Sequence, residues 1–446
     1  MKKFSKILLG LGIVVLSAGC SDNPSASQST TPNTNTEAPT NTTPQTSSDT
    51  SIQVEEPKFA AEITEPVEVI FWHAMNGTLQ DTLTELTAQF MEENPNVKIT
   101  LQNQSSYGDL NQKISASLIS TSTLPTMTQA YLDWMYYPIQ DNLILDLMPF
   151  VTHDVIGIDN FNDIDERFLE PLISDNKLYG IPFNKSSEVL WYNKTMFEEL
   201  NLNPPTNYQE FEQVAKTIYE EKGIAGAGFD SLSSYYVTYL ENLGITFDKD
   251  IDPTTEFSIS AAQYYLNGIQ EGYFRIAGTD FYLSGPLGSE LVGMYVGSNA
   301  GESFVLQAAE GKFEVGVAPY PANLAIQQGT DLFVFSTASD EQQRAAYEYL
   351  KFLTDTDTQI KWAINTGYLP IRETAFTSEE YKTSGAMIPT IAEDMVDKLY
   401  NKPAIGGSAA TFTEAASVME TILATPGVDV EKTMKNFQST LNSLWE

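Results

Sequence analysis

Between Val67 and Tyr131 the sequence alternates strand-like and helix-like hydrophobic periods, and this order restricts the fold more than any other feature. Val67-Glu68-Val69-Ile70-Phe71-Trp72-His73 reads as a buried strand. Gly77 and Thr78 open a helix with Leu79, Leu83, Leu86, Phe90 and Met91 on one face, and Asn94-Pro95 stops it. Val97, Ile99 and Leu101 alternate in a second strand. Tyr107 to Ile119 is helical again, and Met127 to Tyr131 is a third strand. Strand–helix–strand–helix–strand implies an α/β fold with a mostly parallel sheet covered by helices on both faces. Ligands of such sheets sit beyond the carboxyl ends of the strands. Here those ends are His73 to Gly77 and Tyr131 to Trp134.

Later segments continue in the same style. Leu178 to Phe183 leads into a strand over Glu188 to Tyr192, and helices are expected at Asn207–Lys222 and Ser339–Leu353. A last amphipathic helix carries Val430, Met434, Phe437, Leu441 and Leu444. Hydrophobic residues make up 42% of the 446, enough for a sizeable core despite a net charge of −35. The charge comes from a shortage of bases: 24 Lys and Arg stand against 59 Asp and Glu. Such a chain has little with which to neutralise nucleic acid or to dock electrostatically on anionic lipid. Cys20 is the one cysteine, and His73 and His153 are the two histidines, so no disulfide framework or Cys/His zinc site is available. No nucleophile elbow, phosphate loop or metalloprotease helix occurs, and no cofactor is expected.

The amino terminus predicts export. Lys2, Lys3 and Lys6 precede an apolar run from Ile7 to Leu16, too short to span a bilayer but right for a secretory signal. It ends in Leu16-Ser17-Ala18-Gly19-Cys20, which resembles a bacterial lipobox. The resemblance implies cleavage after residue 19 and a lipid anchor on Cys20 at the outer face of a Gram-positive-like cell membrane. From Ser21 to Ser51, 24 of 31 residues are Ser, Thr, Asn or Pro, the composition of a disordered tether.

Five further blocks appear in a meaningful order: Phe71 to Gly77; Tyr107 with Leu110; Pro182 to Lys194; Gly316 to Pro321; and Asn365 to Ile371. Together they resemble the family 1 extracellular solute-binding proteins of ABC importers, in particular the sugar and glycerol-3-phosphate branch. The resemblance implies a two-lobe periplasmic-binding-protein-like fold with three crossings, near Asn184, Ala325 and Arg372, and a solute held between the lobes. It places residues 66–184 and 326–372 in one lobe, and 185–325 and 373–446 in the other. It also implies a monomeric, non-enzymatic partner of membrane permease subunits. Ligand contacts carried over from the family are Tyr107, Ser186, the turn at Ser298 and Asn299, Gly329 and Tyr368. The family's acidic contact falls at Leu132, one step from Asp133.

The branch that binds glycerol phosphate has an arginine late in the chain, whereas Ile405 to Thr411 contains no basic residue. Lys185 is the nearby cation, and Glu188 close to it opposes an anion. An uncharged sugar or oligosaccharide is therefore expected, with glycerol-3-phosphate or a glycerophosphodiester as the alternative. Aromatic faces, carboxylates and amides suit sugars. Trp72, Tyr107, Tyr131, Trp134 and the Tyr235-Tyr236 pair supply the faces; Asn76, Asp133, Glu188 and Asn299 supply polar groups. Trp72, Trp191 and Tyr192 also fit core positions, and His73 equally fits a loop. Two other classes stay open on sequence grounds: a carbohydrate-active enzyme using two carboxylates, and a surface adhesin.

Overall fold

The computed structural model describes residues 62–445; the signal segment, Cys20 and the tether lie outside the described residues. Strands Val67–His73, Val97–Asn103 and Met127–Ala130 pair in parallel, with Val67–His73 in the middle. Helices Thr78–Glu93 and Tyr107–Ser117 make the two crossovers, as the hydrophobic periods require. Ser106 caps the second helix by accepting from the Asp109 amide, so Tyr107 starts it at the carboxyl end of the sheet.

A second parallel set, Ala227–Phe229, Phe274–Ile276 and Met294–Ser298, forms the other end of the same sheet. Two long strands join the halves. Ile181–Asn193 and Ala325–Val334 run antiparallel, pairing from Ile181↔Leu332 to Ser187↔Gln327 with a bulge at Thr330/Asp331. Residues 331–334 pair with the first half through Met127–Ala130, and residues 188–192 with the second through Met294–Ser298. Strand alternation then divides the core. Val189 and Trp191 face one hydrophobic cluster with Tyr295 and Val305, whereas Leu190 faces the other with Met294 and Val296.

Arg372 does not mark a crossing. Its guanidinium bonds to Thr354 O, Asp159 O and Asn160 O, and Thr374 Oγ1 donates to Asp163 Oδ2 at 2.6 Å. The helices Glu373–Thr377 and Glu379–Lys382 continue on the Thr356–Thr366 helix of the first half. The chain returns to the second half only later. There the Met387 and Ile388 amides donate to the Glu302 carboxylate, and Leu399–Tyr400 pairs with Ala325–Ile326.

The two joining strands carry a buried ion pair. Lys185 Nζ lies 2.5 Å from Asp331 Oδ1, with both side chains under 5% exposed. Burial holds the Asp331 carboxyl above the usual range, although Lys185 pulls it down. Beside the pair, Gly329 has φ +86°, and a Cβ there would fall 1.9 Å from Asn184 O, so only glycine lets the two strands approach this closely.

Candidate functional site

Beyond the carboxyl end of the first parallel set the structure brings Tyr107, Tyr131, Trp134 and Tyr368 together, while Ser186, Glu188 and Gly329 lie on the two strands that join the halves. In the first half, Met127–Ala130 delivers Tyr131 and then a short 3₁₀ turn, Leu132–Met135. Tyr131 and Trp134 meet edge to face at 5.0 Å between centroids, and Tyr107 joins them at 5.6 Å and 6.5 Å. All three rings are half-buried. Tyr107 Oη is 3.1 Å from Tyr368 Oη, and the Tyr368 ring stacks on buried Trp362 at 5.7 Å.

Polar groups fix this wall. Asn184 Nδ2 donates to Tyr107 Oη, while its Oδ1 accepts from Thr330 Oγ1 at 2.7 Å and from Gln129 Nε2. Burial raises the Tyr107 and Tyr131 phenols well above their ordinary value, which keeps them neutral donors at physiological pH.

From the segment after strand Leu399–Tyr400, Lys402 Nζ pairs with Asp133 Oδ2 and lies 5.9 Å over the Tyr131 ring. Asp133 Oδ1 is buried with no hydrogen-bond partner among the described residues. This lysine was missed because it stands three residues before the stretch taken to replace the family arginine. The cation singled out from sequence, Lys185, is instead committed to Asp331. Charge type was legible; the strand face was not.

The second-half wall carries Ser186 and Glu188 on one strand face, with Gln328 opposite Ser186 and donating to Ser234 Oγ at 3.1 Å. Glu188 is 2% exposed, and its Oε2 has no partner among the described residues. Burial, helped by the neighbouring Asp230 carboxylate, pushes Glu188 up to about 8, and burial pushes Asp230 up to about 7. Glu188 is therefore mainly a neutral acid at pH 7, able to donate as well as accept. Because the folded form binds this proton more tightly than the unfolded chain, its stability contribution is full at low pH and is lost as pH rises through about 8. Glu188→Gln is expected to raise Tm by about 2–6 °C near pH 9 and leave it unchanged near pH 4, measured by calorimetry. An equal shift at both pH values would overturn this assignment.

Three residues expected to contact ligand are engaged in bonds within the protein. Asn299 is fully buried: its Oδ1 accepts from the Ser187 amide at 2.7 Å, and its Nδ2 donates to Gly367 O, tying a hinge strand to the first half. Ser298 Oγ accepts from the Ala300 amide as a cap. Tyr235 lies in the helix Leu232–Asn242 and not in a loop; it is fully buried against Phe229 and Tyr265, and its hydroxyl donates to Ala261 O at 2.7 Å. Its neighbour Tyr236 is equally buried. His73 is buried with Nδ1 accepting from the Met75 amide, and burial lowers it to about 4. Trp72 is buried and donates to Gln102 Oε1, and Asn76 donates to Ser105 O.

A family model for "Bacterial extracellular solute-binding protein" matches residues 85–390. The chain belongs to that family. The sn-glycerol-3-phosphate-binding periplasmic protein UgpB of Rhizobium meliloti is 24% identical over 365 residues, covering 73% of this chain and 80% of that protein. Among solved structures, UgpB from Mycobacterium tuberculosis in complex with glycerophosphocholine aligns with a TM-score of 0.75 and 20% identity, over 85% of this chain and 98% of that one. The GacH receptor of Streptomyces glaucescens, solved unliganded and with acarbose, aligns with a TM-score of 0.74 and 18% identity, over 85% and 99%. The two-lobe architecture of these solute-binding proteins is the architecture described above. Among the described residues, no helix is long and apolar enough to cross a membrane, and no cluster of three or more His, Cys, Asp or Glu could hold a metal ion.

Proposed function

We propose that this solute-binding protein captures an uncharged sugar or oligosaccharide outside the cell and delivers it to the permease subunits of an ABC importer, without catalysing a reaction. The carrying observation is the cluster of half-buried rings Tyr107, Tyr131 and Trp134 beyond the third strand, side chains suited to the C–H face of a pyranose, together with the acid and amide of Glu188 and Gln328 on the strands that join the halves. Ligand contacts to both lobes favour the closed state, and the permease reads closure. Cys20 serves as the lipid anchor, and the Ser/Thr-rich segment as a leash.

Lys402 supports a second reading, a glycerol-phosphate compound, since a phosphate oxygen could take the place of Asp133 beside its ammonium. The first reading is preferred because that ammonium already has a buried carboxylate partner. A thermal-shift panel of neutral oligosaccharides, glycerol-3-phosphate and glycerophosphocholine separates the two. Oligosaccharides are expected to raise Tm by several degrees and the phosphates by less than one. A shift from the phosphates alone, abolished by Lys402→Met, would sink the sugar assignment.

A further inference from the structure

A backbone amide sets the direction of a buried hydrogen-bond chain that ends at Tyr107 and Tyr368. The Ala74 N–H, just past strand Val67–His73, donates to Gln129 Oε1 at 2.7 Å. A backbone N–H can only donate, so this bond fixes which end of the Gln129 side chain faces it. The other end, Nε2, donates to Asn184 Oδ1 at 3.2 Å, where Thr330 Oγ1 also donates at 2.7 Å. With its oxygen taken twice, Asn184 turns Nδ2 to Tyr107 Oη at 3.2 Å. Gln129, Asn184 and Thr330 are fully buried, so no solvent competes for these bonds.

The consequence follows from counting hydrogens. Tyr107 and Tyr368 carry one hydroxyl hydrogen each and bond to one another at 3.1 Å, which uses one of the two. Asn184 brings its own hydrogen to Tyr107, so the other hydroxyl hydrogen is not spent on it. Asn184 and Thr330 are cross-strand partners on the two joining strands, so this direction is set where the halves meet.

We infer that Asn184 is a positioning residue: by donating to Tyr107 it leaves the tyrosine pair one hydroxyl hydrogen for the solute, which meets it with an oxygen acceptor. This rests on the solute lying against Tyr107 and Tyr368. A sugar hydroxyl or ring oxygen and a phosphate oxygen share that chemistry. Asn184 does not touch the solute itself, since both ends of its amide are committed within the protein.

Asn184→Asp reverses the direction with little change of shape. Its carboxylate still accepts from Gln129 and Thr330, but it also takes the Tyr107 hydrogen. Tyr368 then donates to Tyr107, and no hydrogen is left for the solute. In the unliganded variant, NMR of labelled tyrosine should show the Tyr107 hydroxyl proton moved downfield at about pH 8 by its bond to a carboxylate. Burial raises a carboxyl there above its ordinary value of about 3.9, so at about pH 5 it is protonated, donates again, and the proton moves back. Calorimetric titration uses maltotriose and glycerophosphocholine as probes. The variant's Kd should be about 10-fold above wild type at about pH 8 and within about 3-fold at about pH 5. Taking the ratio to wild type at each pH cancels Glu188, which titrates in both proteins. Gln129→Glu acts from one link away and decides the matter if Asn184→Asp does not fold. It accepts at both ends, turns the Asn184 oxygen to Tyr107, and should weaken binding to the same extent. An unmoved hydroxyl proton, or a loss of affinity equal at both pH values, would overturn the positioning role. If glycerophosphocholine alone binds and shows this pH dependence, the carbohydrate reading falls and the positioning role stands. If neither probe binds wild type, the hydroxyl proton alone decides.

Discussion

Lys185→Met is expected to cost about 3–5 kcal/mol of stability near pH 8, because it leaves the Asp331 carboxylate buried between the hinge strands without its partner. The loss should depend on pH with a definite sign. Burial already raises Asp331, and removing the ammonium raises it further, so the folded variant holds a proton that the unfolded chain releases. The variant's stability is therefore retained below the ordinary carboxylate value, about 3.9, and falls as pH rises through the raised one. Denaturant unfolding at about pH 4 and pH 8 would read this directly. Lys185→Met/Asp331→Leu should recover most of the loss, since two apolar groups replace two desolvated charges. A penalty below about 1 kcal/mol at pH 8 would place the pair with ordinary surface ion pairs.

The location of that pair makes the prediction a statement about the hinge. Lys185 O accepts from the Leu369 amide at 2.8 Å, so three chain segments meet at one residue. Asn299 ties Ser187 to Gly367 two positions away. In the closure proposed above, strands stapled in this way would confine the motion to a bend across residues 184–188 and 327–331. Neither staple contains a free ligand-binding group, although Lys185 and Asn299 both look like ligand contacts in the sequence.

That difference shows where sequence reading stops. The β–α–β order, the helix stop at Asn94-Pro95 and the aromatic pair after the third strand were legible because each depends on spacing within about 20 residues. Lys402 against Asp133 was not, since it joins residues 269 positions apart and no local pattern encodes the meeting. Tyr235 differs for a related reason: the Tyr235-Tyr236 pair offers ring faces in the sequence, but tertiary packing buries both in a helix. Lys185 and Glu188 lie three residues apart on one strand, and period-two alternation sends them to opposite faces, one into the hinge and one to the second-half wall.

Trp134→Ala is expected to raise the Kd for the solute about 10- to 150-fold, from about 1.5–3 kcal/mol of lost ring contact. The indole is half-buried and meets Tyr131 at 5.0 Å and Tyr107 at 6.5 Å, completing the aromatic cluster after the third strand. Because it is only partly buried against the core, the unliganded Tm should move by only a few degrees, and calorimetric titration can separate binding from folding. Trp134→Phe should restore most of the affinity if the face is what binds. Tyr368→Phe should cost less than tenfold, since its hydroxyl mainly holds Tyr107 at 3.1 Å and its ring remains stacked on Trp362. If Trp134→Ala binds within threefold of wild type while Lys402→Met loses the solute altogether, the cleft recognises charge before ring faces, and the solute is an anion.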